Sequence, residues 1–187
     1  MRRISIILGM VMLLAGCSSA SNTPAPTPST MQATASGAYN APDWTKIQLT
    51  NARTGATFTL ADFAGKTVFV EPMATWCTNC RAQLPNVEAA RVQLNSDEYV
   101  FVGLSVAENV DNATLAKYVD SHNWNFIFAV APDALTKAMV DVFGRSAVTP
   151  PSTPHFIIRP DGSITQMSTG FHSPDELVSQ IKAASHS

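Results

Sequence analysis

Three short runs rich in β-branched and aromatic residues, TVFVEPM (67–73), YVFVGLSV (99–106) and FIFAV (126–130), alternate with stretches of helical period. Each is apolar on consecutive residues, the pattern of a strand buried on both faces. Between the first two, Leu84, Val87, Ala90, Arg91 and Leu94 recur at three- and four-residue intervals, as on the buried face of an amphipathic helix. DNATLAKYVDSH (111–122) opens with helix-capping residues, and PDALTKAMVDVFG (132–144) opens on Pro-Asp and closes on Gly144. Strands that alternate with helices require right-handed crossovers, which implies a mainly parallel sheet covered by helices.

The flanks add antiparallel elements. KIQLTN (46–51) and ATFTL (56–60), separated by Arg53-Thr54-Gly55, read as a β-hairpin. HFIIRPDGSITQMSTG (155–170) reads as strand, turn at Pro160-Asp161-Gly162, and strand. SPDELVSQIKAAS (173–185) is a final helix with Ser173 as N-cap, Pro174 at its first position and Glu176 completing a capping box. The expected order is β-hairpin, then β-α-β-α-β-α, then β-β-α: an α/β sandwich with a mixed central sheet flanked by helices.

At 187 residues the chain is one ordinary domain with sequence to spare, and the surplus is N-terminal. Met1-Arg2-Arg3 is cationic, and residues 4–14 form an apolar run of signal-peptide length, too short for a comfortable membrane span. LAGC (14–17) resembles a bacterial lipobox. That resemblance implies cleavage before Cys17 and lipid on its thiol and new amino terminus; a plain secretory signal or a retained anchor are the alternatives. Residues 1–16 are thus expected to be a lipoprotein signal peptide. The remainder would be exported to a compartment where disulfides persist.

Residues 17–41 comprise the lipidated cysteine and a Ser/Thr/Ala/Pro-rich, nearly uncharged segment with no hydrophobic period, expected to be a disordered tether. The domain proper is expected over 42–187. Removal of Arg2 and Arg3 with the signal lowers the 12 basic residues to 10 against 14 acidic ones, a net charge of -4. No basic cluster survives, so nucleic-acid binding has no electrostatic footprint. Membrane contact would come from acyl chains.

The remaining cysteines, Cys77 and Cys80, lie in EPMATWCTNCR (71–81). A haem-attachment site needs histidine directly after the second cysteine, and Arg81 stands there. A structural zinc site needs further ligands, and His122, His155, His172 and His186 show no paired ligand spacing. A purely stabilising disulfide gains little from so short a loop. A redox dithiol fits the junction of a buried strand with a helix, because a thiolate at a helix N-terminus faces unsatisfied N–H groups and the positive end of the dipole. Cys77, at the mouth, would attack, and Cys80, one turn in and within bonding reach, would resolve.

ATWCTNC (74–80) after a buried strand resembles the active site of the thioredoxin superfamily. The wider layout, over roughly residues 44–184, resembles its membrane-anchored TlpA/ResA-like thiol:disulfide oxidoreductases. The resemblance implies a thioredoxin-like three-layer sandwich with a Cys77–Cys80 disulfide. It places Thr153-Pro154 where the family has its cis-proline beside the disulfide, with Pro150 and Pro151 as competitors, and makes the backbone at Thr153 a substrate contact. Trp76 would shield the disulfide and meet substrate, the alternative being a surface ring without chemical use. Glu71 occupies the place of a buried acid that takes the proton of the inner cysteine. Desolvation in an apolar strand would raise its pKa toward neutrality, whereas at a strand edge before Pro72 it would face solvent.

Some members of this branch carry an acid three residues after the second cysteine; here that residue is Gln83. Thr78-Asn79 match neither the Gly-Pro of reducing thioredoxins nor the Pro-His of strong oxidants, which leaves redox direction open.

The resemblance further implies protein thiol or disulfide clients, apocytochrome c among them, a membrane or extracytoplasmic electron donor, a reducing role and an anchor in the bacterial cell membrane through Cys17. A monomer is expected, with no cofactor and no metal. The alternative function is copper delivery, two thiolates and His155 binding Cu(I), although the fold's copper carriers space their cysteines by three residues.

Overall fold

The computed structural model describes residues 38–186; the signal segment, Cys17 and most of the tether lie outside them. A small antiparallel pair, β1 (Leu49–Thr50) and β2 (Thr57–Phe58), is closed by the Arg53-Thr54-Gly55 turn. Asn51 Oδ1 accepts from the Arg53 and Thr54 N–H groups, and Gly55 adopts a positive φ of 72°. These strands are only two residues long, because Ala52 leaves the pair to donate its N–H to the Phe128 carbonyl at 2.8 Å.

The main sheet contains β3 (Thr67–Met73), β4 (Tyr99–Ser105), β5 (Ile127–Val130) and β6 (Phe156–Ile158), in the order β5-β4-β3-β6. β3, β4 and β5 run parallel, and β6 is antiparallel to β3. Their connections are α1 (Thr78–Arg91), α2 (Asn112–Ser121) and α3 (Asp133–Phe143); α4 (Pro174–Ser185) ends the chain. The caps read from sequence form: Asp111 accepts from Thr114 N–H, Gly144 ends α3 at φ 75°, and Ser173 and Glu176 make a complete capping box.

The expected second arm of the late hairpin does not form a strand. The turn closes as read, with Gly162 at φ 90°, but beyond it only Ile158–Ile164 and His155–Ser168 pair, as isolated bridges. Between them the Thr165 hydroxyl takes the Ile157 N–H and interrupts the ladder. Asn40 donates its N–H to the Asp161 carbonyl at 2.7 Å, so the packed chain reaches back to that residue.

β3 is buried along its whole length and divides the core. On one face Phe69 and Met73 pack with Leu84 and Val87 of α1, Leu115 of α2 and Leu177 of α4; on the other Val68 and Val70 meet Leu135 and Met139 of α3. Burial of side chains such as Leu84 and Val87, both 0 % exposed, contributes on the order of 2 kcal/mol each. The result is three layers, with the C-terminal ends of the parallel strands facing the start of α1.

Candidate active site

β3 carries the chain to that edge, and Cys77 is the N-cap of α1. Its Sγ accepts the Cys80 N–H at 3.0 Å, as a capping oxygen would, and the two cysteines form a disulfide with their Cα atoms 5.3 Å apart. In the dithiol state the same N–H and the helix dipole favour a thiolate at Cys77. Pro85 lies within α1, two turns along, and supplies no N–H to the Arg81 carbonyl.

Exposure does not separate the two sulfurs as the sequence suggests, for Cys77 is 1 % exposed and Cys80 0 %. The turn of residues 150–153 is joined to the start of α1 by polar contacts. Cys80 Sγ lies 3.3 Å from the Pro150 carbonyl, an acceptor for its S–H once reduced, and Asn79 donates to the Pro151 carbonyl at 2.7 Å. Pro150 and Pro151, read from sequence as competitors of Pro154, thus hold the helix start. Contacts across 70 residues leave no local signal that could have shown this.

Pro154 is buried and leads into β6. Among the described residues every peptide bond is trans. The chain turns instead at Thr153, which is left-handed at φ 46° and ψ 58° and donates its N–H to the Pro150 carbonyl at 2.8 Å. For a β-branched residue before proline this conformation costs about 1–3 kcal/mol. The buried Thr153 hydroxyl has no hydrogen-bond partner among the described residues. Trp76 is 63 % exposed and walls a groove of about 490 Å³ shared with the loop after β4 and residues 148–151.

Glu71 is 1 % exposed, which excludes a solvent-facing strand edge. It alternates with Phe69 and Met73 and therefore shares the sheet face whose core includes both cysteines. Its partner in register on β4 is Gly103, where a Cβ would run into the Phe128 ring. Neither carboxyl oxygen has a hydrogen-bond partner among the described residues. Burial alone pushes the Glu71 pKa up to about 8.

Gln83 is buried in α1 and clamps His172, donating to its carbonyl at 3.2 Å and accepting its N–H at 3.3 Å. The position that could have carried an acid thus fastens the approach to α4. His155 packs against Phe69 with the rings tilted and their centroids 5.1 Å apart, and its Nε2 meets Gln180 Oε1 at 2.9 Å. Burial pulls its pKa down to about 4, so it stays neutral and engaged within the core. Among the described residues no three of His, Cys, Asp and Glu come together as a metal site would require, and no helix is long and apolar enough to cross a membrane.

The profile of the AhpC/TSA family matches residues 38–167. Thiol-disulfide oxidoreductase ResA of Bacillus subtilis strain 168 is 26 % identical over 116 residues, 62 % of this chain. The chain spans 60 % of that relative's length. Among solved structures, a thiol:disulfide interchange protein of the thioredoxin family from Chlorobium tepidum TLS superposes with a TM-score of 0.64 at 23 % identity, covering 73 % of this chain and 91 % of the other. An exposed lipoprotein thioredoxin of Streptococcus pneumoniae strain TIGR4 superposes with a TM-score of 0.58 at 20 % identity, covering 73 % and 97 %. The fold is thioredoxin-like.

Proposed function

The chain belongs to the AhpC/TSA family, and on that premise we propose that it is a thiol:disulfide oxidoreductase exchanging its Cys77–Cys80 pair with protein cysteines outside the cytoplasm. One observation carries the reading: Cys77 caps α1, bonded to Cys80, on the sheet face that also buries the Glu71 carboxyl, which has no hydrogen-bond partner among the described residues. In the reducing direction the Cys77 thiolate attacks a client disulfide. One client sulfur leaves as a thiolate, and a mixed disulfide forms. Cys80 gives its proton to Glu71 and attacks Cys77 Sγ, releasing the second client thiolate. The client gains two electrons, and the protein is left as the Cys77–Cys80 disulfide, to be reset by an extracytoplasmic or membrane dithiol donor. Trp76 and the backbone at Thr153 would meet the client beside the sulfurs. Clients would be cysteine-bearing proteins, apocytochrome haem-binding cysteines among them.

A redox titration of the pair against dithiothreitol tests direction. A reductant should titrate near thioredoxin's potential of about -270 mV, and a value near the about -120 mV of strong oxidants would reverse the assignment.

The LAGC box and the likeness to a lipoprotein thioredoxin support an anchor at Cys17. Full-length protein expressed in bacteria should fractionate with membranes and carry acyl chains on Cys17, and Cys17→Ser should lose both. Wild-type protein recovered wholly soluble, with an unmodified Cys17 thiol, would rule the anchor out.

A further inference from the structure

The groove beside the dithiol has a chemical character of its own. Trp76, the residue before Cys77, forms one wall; Val106, Val148 and Pro150 add apolar surface. Among the described residues that line it, Glu108 alone is charged, and it is exposed. Asn109 follows at φ 59°, a left-handed position that asparagine tolerates, and turns the chain sharply after the carboxylate. The groove abuts the redox pair at both cysteines: Trp76 is joined to Cys77, and the Pro150 carbonyl touches Cys80 Sγ. Any chain bonded through sulfur to Cys77 must therefore run along or past it.

We propose that this groove reads the client residues flanking the reacting cysteine, seating an apolar side chain against Trp76, Val106 and Val148 and a lysine or arginine against Glu108. The assignment rests on the redox reading above and adds a preference to it. An apolar surface with one carboxylate at its edge gains most from a partner that presents both chemistries at once. A cation there costs little desolvation, because Glu108 stays in water. The chain's formal net charge of -2 acts in the same sense by drawing basic clients toward it.

The test uses reduced full-length protein and two synthetic peptide disulfides. Each carries a leucine beside its cysteine, followed in one by lysine and in the other by glutamate. At low ionic strength the lysine peptide should be reduced faster by about fivefold, with the gap closing in high salt. Glu108→Lys should reverse the order, each peptide rate being taken relative to the same variant's rate with uncharged bis(hydroxyethyl) disulfide. Replacing the peptide leucine by glycine should slow both peptides. Equal rates for the two peptides, or an order that Glu108→Lys does not alter, would overturn the groove assignment alone. If wild-type protein with a titratable pair reduces neither peptide, the redox reading falls, and this proposal with it.

Discussion

A Cys80→Ser protein is expected to accumulate mixed disulfides with its clients, whereas Cys77→Ser should lose disulfide exchange altogether. The asymmetry follows from environment, since exposures of 1 % and 0 % do not rank the two residues. Cys77 caps α1, and its sulfur takes a helix N–H at 3.0 Å, an arrangement that stabilises negative charge. Cys80 has instead a carbonyl oxygen at 3.3 Å, which favours its protonated form. At neutral pH the thiolate, and with it first attack, belongs to Cys77. Without Cys80 nothing displaces the bound client, and the intermediate persists. Non-reducing electrophoresis of cells expressing Cys80→Ser should show client adducts that dithiothreitol removes. Alkylation of the reduced wild-type protein should strike Cys77 first, at a pH below the about 8.5 of a free thiol. Equal labelling of both cysteines, or preference for Cys80, would reverse the roles.

What the sequence disclosed and what it withheld divide along a physical line. The strands at 67–73, 99–105 and 127–130 were legible because burial leaves few polar residues to break the run, Glu71 being the one that is charged. The caps at Asp111, Gly144 and Ser173 were legible because capping is settled by side chains within four residues. The dithiol was legible for the same reason, since a cysteine at the N-cap and another one turn on lie within a single helical turn. What failed was either marginal or distant. The second arm of the late hairpin has the composition of a strand, yet the Thr165 hydroxyl satisfies the Ile157 N–H that a ladder would have used. Gln83 stands out in sequence for the acid it lacks, while its actual work, holding the backbone of His172, spans 89 residues. His155 reads in sequence as a candidate copper ligand, whereas the partner of its Nε2, Gln180 on α4, lies 25 residues along the chain. The Pro150 carbonyl beside Cys80 and Glu108 in the groove depend on where loops from different strands meet, which no local pattern encodes.

Glu71→Gln is expected to slow the resolving step by about ten- to a hundredfold, while first attack by Cys77 stays near the wild-type rate. Glutamine preserves shape and polarity but cannot accept the Cys80 proton. With the Glu71 pKa pushed up to about 8, the wild-type resolving rate should climb with pH as the base form fills and level off above that value. In Glu71→Gln this inflection should vanish and leave only the titration of the thiol. The same group makes a prediction about stability. Its pKa is raised in the fold, from the ordinary 4.5 to about 8, so the native state holds a proton that the unfolded chain releases. Stability is then unpenalised below about pH 4.5 and falls as pH rises toward 8, by up to about 1.4 kcal/mol per pH unit. Glutamine does not titrate, so Glu71→Gln should unfold in denaturant at about the wild-type midpoint near pH 4.5 and at a progressively higher relative midpoint toward pH 8. A constant difference across that window would mean that Glu71 titrates normally in the fold. Mixed disulfides resolved at the wild-type rate from pH 6 to 9 would mean that the proton of Cys80 leaves by another path.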